Sequence, residues 1–308
     1  MKITRHLLFL ILLLSATSYG QQLPYRSAFS NTDFLFNPAV TAIGEYLEWG
    51  ANYRQQWLGF EEAPITATGQ FQYPFLQNNM SAGASISLDK AGPLQRNGFA
   101  LTYSYKMELG LASSDQLSLG ILAGINQYRF DVNEAVVADA DDLLLNNMES
   151  SSAFTNFGFG LFYVSNVDIY SQDGNGFFFG LGTNQLFSPQ LGSSTTGLTR
   201  AIHANAIVGA RFNADVSFIE PSIWANYSAD NIFNLTGNIL FEMADAFWTG
   251  LSFSTDQTVA LQGGFILKNG LLEKGFLRIG GQGTYGIGSV GDAQGLGFEV
   301  LVGYRYWL

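Results

Sequence analysis

The chain has 308 residues, a formal net charge of −11, 15% aromatic and only 13% charged residues, 35 glycines and no cysteine. The absent cysteines exclude disulfides, thiolate metal sites and a lipid-modified N-terminal cysteine. The acidic balance excludes a phosphate-binding face, so no nucleic-acid partner is expected.

Residues 1–20 place Lys2 and Arg5 before an apolar run at 7–14, then the small residues Ser18 and Gly20. This pattern predicts a cleaved secretory signal peptide, with the mature chain starting at Gln21. Loss of Lys2 and Arg5 takes the net charge from −11 to −13. No later run supplies the ~18 apolar residues of a membrane-spanning helix.

Residues 21–45 precede the first alternating run and carry an Asn37-Pro38 turn signal. They are expected to lie in the periplasm or to enter the structure formed by the rest. From residue 46 to 308 the pattern changes to period-two alternation, which sends successive side chains to opposite faces of a strand. At 80–89, Met80, Ala82, Ala84, Ile86 and Leu88 oppose Ser81, Gly83, Ser85, Ser87 and Asp89. At 98–110, Phe99, Leu101, Tyr103 and Tyr105 oppose Thr102, Ser104 and Lys106.

Continued along the chain, the pattern places about fourteen strands at 46–55, 64–73, 80–89, 98–110, 116–130, 153–165, 176–186, 201–213, 216–228, 231–243, 246–255, 257–268, 276–288 and 295–307. Most are near the ~9–11 residues of a tilted membrane strand. Charges avoid the apolar faces: Glu48, Arg54, Lys106, Glu108, Arg211, Glu220, Glu242, Lys268, Arg278, Glu299 and Arg305 all fall opposite them. Arg129 breaks the rule at a strand end. A soluble β-sandwich also alternates, but its apolar face is a Val/Ile/Leu core, and its other face carries more charge. Here aromatic residues recur near strand ends (Tyr46, Trp49, Tyr53; Tyr103, Tyr105; Phe247, Trp248; Tyr304, Tyr306, Trp307), as in interfacial girdles. The expected fold is all-β: a single transmembrane antiparallel β-barrel of about fourteen strands in a bacterial outer membrane, in contact with its lipid.

Glycines such as Gly83, Gly120, Gly158, Gly160 and Gly180 fall on the polar face. They serve either the curvature of a closed sheet or the space needed by an internal segment. With both termini periplasmic, the outward loops are 53–64, 89–97, 131–152 and 187–200. The acidic loop at 131–152 lacks the spacing of a calcium-binding loop and reads as a solvated surface, so no metal is expected. Asn226-Tyr227-Ser228 and Asn234-Leu235-Thr236 match a glycosylation pattern by chance within strands. No catalytic motif appears, and His203 is the sole histidine after residue 6, so neither an enzyme nor a cofactor is expected.

The ordered segments NPAVTAIG (37–44), YRQQWLGFEEAP (53–64), DKAG (89–92), YSY (103–105) and LSLGILAGINQY (117–128) resemble the PorP/SprF family. The most specific element is Tyr53, Arg54, Gln56, Trp57, Gly59, Phe60, Ala63 and Pro64. The resemblance implies an outer-membrane barrel of type IX secretion. It would work with secretion components and an exported surface protein, in some members a gliding adhesin. On this reading Arg54, Gln56, Trp57 and Phe60, with Asp89 and Gly92 of the next outward loop, are the candidate partner-binding residues. Trp57 and Phe60 would serve as anchors, and Arg54 and Gln56 would bond neighbouring loops. The N-P-A start is also similar to long-chain fatty-acid transporters, which leaves a channel for small or hydrophobic solutes as the alternative.

Overall fold

A computed structural model describes residues 33–76, 79–111, 114–131, 153–171, 174–186, 190–191, 198–199, 202–228, 232–268, 274–287 and 295–308. The strands in chain order are β1 (Leu47–Gln55), β2 (Ile65–Phe75), β3 (Met80–Ala91), β4 (Leu94–Glu108), β5 (Gln116–Phe130), β6 (Ala153–Val164), β7 (Gly176–Gln185), β8 (Gln190–Leu191), β9 (Leu198–Thr199), β10 (His203–Ala214), β11 (Ser217–Ser228), β12 (Ile232–Met243), β13 (Phe247–Ser254), β14 (Thr258–Leu267), β15 (Gly275–Gly286) and β16 (Leu296–Tyr306). All but the short β8–β9 pair form one closed barrel, in which β1 pairs with β16, so the wall has fourteen strands. Every wall pairing is antiparallel, as the alternation requires.

We call the end holding the start of β1 and the end of β16 proximal, and the opposite end distal. Outward faces carry a continuous apolar surface: Phe99, Leu101, Ile121, Ile125, Phe159, Ile223, Leu261, Phe265 and Val300 are each exposed. An apolar belt on this scale needs lipid rather than water as its solvent. No described helix is long and apolar enough to cross a membrane, which has no bearing on crossing by strands.

Inward faces are closely filled. Glu48, Arg54, Thr102, Ser104, Lys106, Glu242, Arg278 and Glu299 are all buried. Two of the aromatics assigned to the girdles by sequence belong here instead. Trp248 is 1% exposed and Tyr46 8%. Trp248 lies over glycines at its own level, since a Cβ on Gly280 would come 2.5 Å from its ring and one on Gly264 2.8 Å from its indole nitrogen. The register sets Trp248 beside Gly264 and Gly264 beside Gly280, so two adjacent strands give up side chains to seat one large one.

The segment leading into β1 occupies the lumen. Two 3-10 turns, Asp33–Leu35 and Pro38–Val40, are followed by buried Thr41, Ala42 and Ile43. Asn37 caps the second turn, its Oδ1 accepting from the Ala39 amide at 3.0 Å, and Pro38 at the first position has no N–H to leave unpaired. Ala39, Val40 and Ile43 pack with Phe162, Val164, Ile169, Phe178, Ile207 and Trp224 into the main apolar cluster. Burial of each large apolar side chain contributes about 1.5–3 kcal/mol. The long connection after β6, at Val167–Ser171, folds into the proximal mouth, where Ile169 joins the same cluster.

Candidate functional site

Polar wall groups hold the inner segment at both ends. Asn37 Nδ2 donates to the Leu161 carbonyl at 3.0 Å, and Asn205 Nδ2 donates to the Phe36 carbonyl at 2.9 Å. Asn184 donates to the Leu35 carbonyl. On the opposite wall, the Ala42 amide donates to Gln72 Oε1 at 2.7 Å, Thr41 Oγ1 reaches Thr102 Oγ1 at 3.0 Å, and Lys106 Nζ donates to the Ala42 carbonyl at 2.6 Å. Glycines make the room. A Cβ on Gly120 would overlap the Pro38–Ala39 peptide, and one on Gly160 would overlap Asn37 Oδ1. Of the two readings of the polar-face glycines, space for an internal segment describes these positions.

The inner segment separates two cavities. The proximal one, about 270 Å³, is lined by Tyr46, Val40, Ile43 and the ion-paired residues of the wall. Arg305 Nε lies 2.7 Å from Glu48 Oε2, Arg211 Nε 2.7 Å from Glu220 Oε2, and Arg278 Nη1 2.7 Å from Glu242 Oε2. The last pair spans from β15 to β12, past two intervening strands. Aromatic rings cover the guanidiniums: Phe218 lies 4.0 Å from Arg211 and Tyr46 4.7 Å from Arg305. Burial pushes the Tyr46 phenol above its usual value, the Arg305 charge only partly offsetting it. The distal cavity, about 220 Å³, is floored by Leu35 and Phe36 and lined mainly by neutral polar side chains, including His203.

Four of the six sequence-selected residues separate into two environments. Trp57 and Phe60 are 43% and 55% exposed on the distal loop between β1 and β2. Arg54 and Asp89 turn inward instead. Arg54 is 5% exposed and stands in register with Glu299 and Thr66, while Thr66 adjoins Asp89 on β3. Asp89 Oδ2 accepts from Arg96 Nε at 2.8 Å. Arg54 thus sits in the lumen wall below the loop rather than among the loops, because β1 runs on to Gln55 and position 54 shares the inward phase of Glu48 and Asn52.

The rim loop is tied at three points. The Gln56 amide donates to the Pro64 carbonyl at 3.0 Å, the Leu58 amide to the Leu296 carbonyl at 2.8 Å, and the Gly92 amide to the Glu62 carbonyl at 3.2 Å. Within it the Phe60 amide donates to the Trp57 carbonyl at 3.1 Å. Trp57 has φ 53° and Gly59 φ 97°. Positive φ is uncommon for a side chain as large as Trp, and the value at Gly59 suits only glycine. Gly92, φ 55°, turns the β3–β4 hairpin that receives the third tie. Among the described residues no group of acidic, His or Cys side chains could hold a metal ion. Residues 132–152 of the acidic loop and most of 187–200 lie outside the described residues.

The model of the type IX secretion system membrane protein family PorP/SprF matches residues 18–304. The chain belongs to the PorP/SprF family. This PorP/SprF barrel also resembles solved outer-membrane channels in fold. It aligns with the CymD monoaromatic hydrocarbon channel at 10% identity and TM-score 0.52, covering 93% of this chain and 94% of that one. It aligns with the Pseudomonas putida toluene transporter TodX at 8% identity and TM-score 0.51, covering 91% and 94%. At these identities the likeness extends to the outer-membrane barrel architecture alone. No curated protein sequence matches the chain. The segment Tyr53–Pro64 is the tied rim loop with the end of β1, and Asn37 of Asn37-Pro38-Ala39 caps the turn of the inner segment.

Proposed function

We propose that this barrel serves type IX secretion as a docking partner, delivering or anchoring an exported surface protein through its distal rim. The observation that carries the reading is the Trp57–Phe60 turn. It keeps two aromatic side chains exposed beyond the strands on a backbone fixed by hydrogen bonds to β16, to Pro64 and to the β3–β4 hairpin. Rigid aromatic anchors bury large area at small entropic cost, and such residues concentrate binding energy at interfaces. A non-glycine residue held at positive φ is a conformation that surrounding contacts have to maintain, which suits a loop whose shape matters.

The solute-channel alternative needs a continuous bore. The inner segment fills the middle of this lumen, and the ion pairs beneath it are closed on themselves, both of which weigh against passive flux. In this reading residues 1–20 are removed on export, both termini face the periplasm, the distal rim faces outward, and periplasmic secretion components meet the proximal end.

Trp57→Ala combined with Phe60→Ala tests the proposal. The double variant should enter the outer membrane as a heat-modifiable barrel while surface display of its exported partner falls. Unchanged display, together with solute conductance by the wild-type barrel, would favour the channel.

A further inference from the structure

Among the described residues, the outward phase of the fourteen wall strands holds two charged side chains, Lys90 and Arg129, and both are cations. Arg129 is the residue that breaks the inward fall of charge along the sequence. The register brings the two into one row: Lys90 of β3 pairs with Gln95 of β4, and Gln95 with Arg129 of β5. Arg129 is exposed and Lys90 half-buried. Neighbouring strands lie about 4.8 Å apart, so the two cations start roughly 10 Å from each other and their long side chains can converge on one ligand.

The height of the row follows from the strands that carry it. Ile86, Phe99 and Ile125 form one row of the outer face, all exposed to the apolar belt. The next row toward the distal end is Leu88, Asn97 and Gln127, and the one after it is Lys90, Gln95 and Arg129. On β5 the outward apolar run from Leu117 to Ile125 rises about 20 Å, at ~3.3 Å per residue and a tilt near ~40°, which fills most of the ~25 Å apolar band of an outer-membrane barrel. Arg129 stands about 10 Å beyond Ile125 on the same geometry. The headgroup layer is roughly 5–8 Å thick on each side of the hydrocarbon, with water beyond it. β4 and β5, at 15 residues each, are long enough to carry the wall through that layer.

Elsewhere around the distal end the outward positions stay aromatic or apolar, with Tyr53, Tyr227, Phe253, Tyr285 and Leu296 all exposed. The polar shoulder is therefore local to β3, β4 and β5. Its chemistry suits phosphate: a guanidinium pairs with phosphate oxygens through two parallel N–H donors, an ammonium adds a point charge, and the Gln95 amide between them has donors of its own.

We propose that the Lys90–Gln95–Arg129 row binds the phosphate of an anionic lipid headgroup. The orientation taken under the proposed function puts this row in the outer leaflet, where the ligand is a phosphorylated glycolipid. The choice of leaflet rests on that reading, whereas the phosphate chemistry comes from the row alone. Asp131 follows at the end of β5, its amide donating to the Pro93 carbonyl at 2.9 Å, and is the rival for Arg129 within the chain.

The test uses the full-length barrel in mild detergent, native mass spectrometry and three probes: bis-phosphorylated lipid A, the same lipid stripped of phosphate, and inorganic phosphate. The wild type should retain the phosphorylated lipid in preference to the stripped one. Lys90→Gln with Arg129→Gln should weaken that retention roughly 25-fold, about fivefold for each cation. Arg129→Lys should keep most of it, and Lys274→Gln, which removes an exposed cation from the proximal end, should leave it unchanged. All variants should run as heat-modifiable barrels, since the substituted side chains point away from the lumen. Equal retention of the stripped lipid, or equal retention by the wild type and the double variant, would overturn the proposal and leave the cations to Asp131 or to water. Displacement of the lipid by millimolar inorganic phosphate would overturn it in favour of a free anion. Failure of the docking role would appear separately, as undiminished display in the Trp57/Phe60 double variant, which leaves this row untouched.

Discussion

Gly120 of β5 lies directly against the Pro38–Ala39 peptide of the inner segment, with no space between them for a Cβ. The wall is thus shaped to the segment at a single atom's resolution. Gly120→Leu should leave the fourteen-strand wall closed, because neighbouring strands pair through backbone groups. The segment, however, would be pushed from its seat, at about the 1–3 kcal/mol typical of overpacking. Planar-bilayer recordings should find the wild-type barrel quiet and the variant intermittently conducting. Gly283→Leu is the control, since a Cβ there meets nothing within 4 Å.

Asn37 is a shielded polar anchor of the segment, accepting from the Ala39 amide and donating to the Leu161 carbonyl while only 1% exposed. Asn37→Ala strands both partners, which costs about 1–3 kcal/mol per buried group left unsatisfied. The chain has no cysteine, so Ile43→Cys supplies one reporter thiol within the lumen cluster. Its reaction with a water-soluble maleimide should be slow alone and roughly tenfold or more faster with Asn37→Ala. An unchanged rate would mean that the segment is held by its remaining contacts without Asn37.

The Arg278–Glu242 pair predicts an asymmetry between single and double variants. Both side chains are buried, at 4% and 7% exposure. Arg278→Met or Glu242→Gln alone leaves an uncompensated or poorly paired buried group, and breaking such a pair costs about 3–5 kcal/mol. Arg278→Met with Glu242→Leu replaces the pair by apolar contacts and should come close to wild type. The temperature at which the folded gel species converts to the unfolded one, measured for all four proteins, separates these outcomes.

Strand count, strand positions and the inward fall of charge were legible because period-two alternation is strong when one face meets lipid and the other a packed polar lumen. Aromatic residues were harder to place, since a girdle is defined by height and a face by phase. Phase alone would have corrected two of them. Phe247 and Trp248 are consecutive in β13, so only one can face outward, and Tyr46 shares the even phase of Glu48 and Asn52 rather than that of Trp49 and Tyr53. The same parity puts Arg54 in the wall. The inner segment was legible only as two alternatives, because a short turn-rich stretch has no periodicity. The cue that decides between them, glycines clustered at one height on β5, β6 and β7, emerges only once register is known.

The seam between β16 and β1 yields the last prediction. Residues 304–308 supply the pairs Leu47↔Tyr306, Glu48↔Arg305 and Trp49↔Tyr304 on one side of the last strand, and Gly275↔Tyr306, Phe276↔Arg305 and Leu277↔Tyr304 on the other. Their deletion opens the proximal end of the seam and exposes edges of β1 and β15, which a barrel in lipid has no means of satisfying. It also leaves Glu48, 7% exposed, without Arg305. The truncated chain should therefore fail to give a heat-modifiable species in the outer-membrane fraction. Arg305→Met separates the two effects, because it keeps the ladder and removes only the ion pair. It should insert, with a stability deficit of about 3–5 kcal/mol from the stranded carboxylate. Insertion of the truncated chain at wild-type level would show that closure of the barrel does not depend on the end of β16.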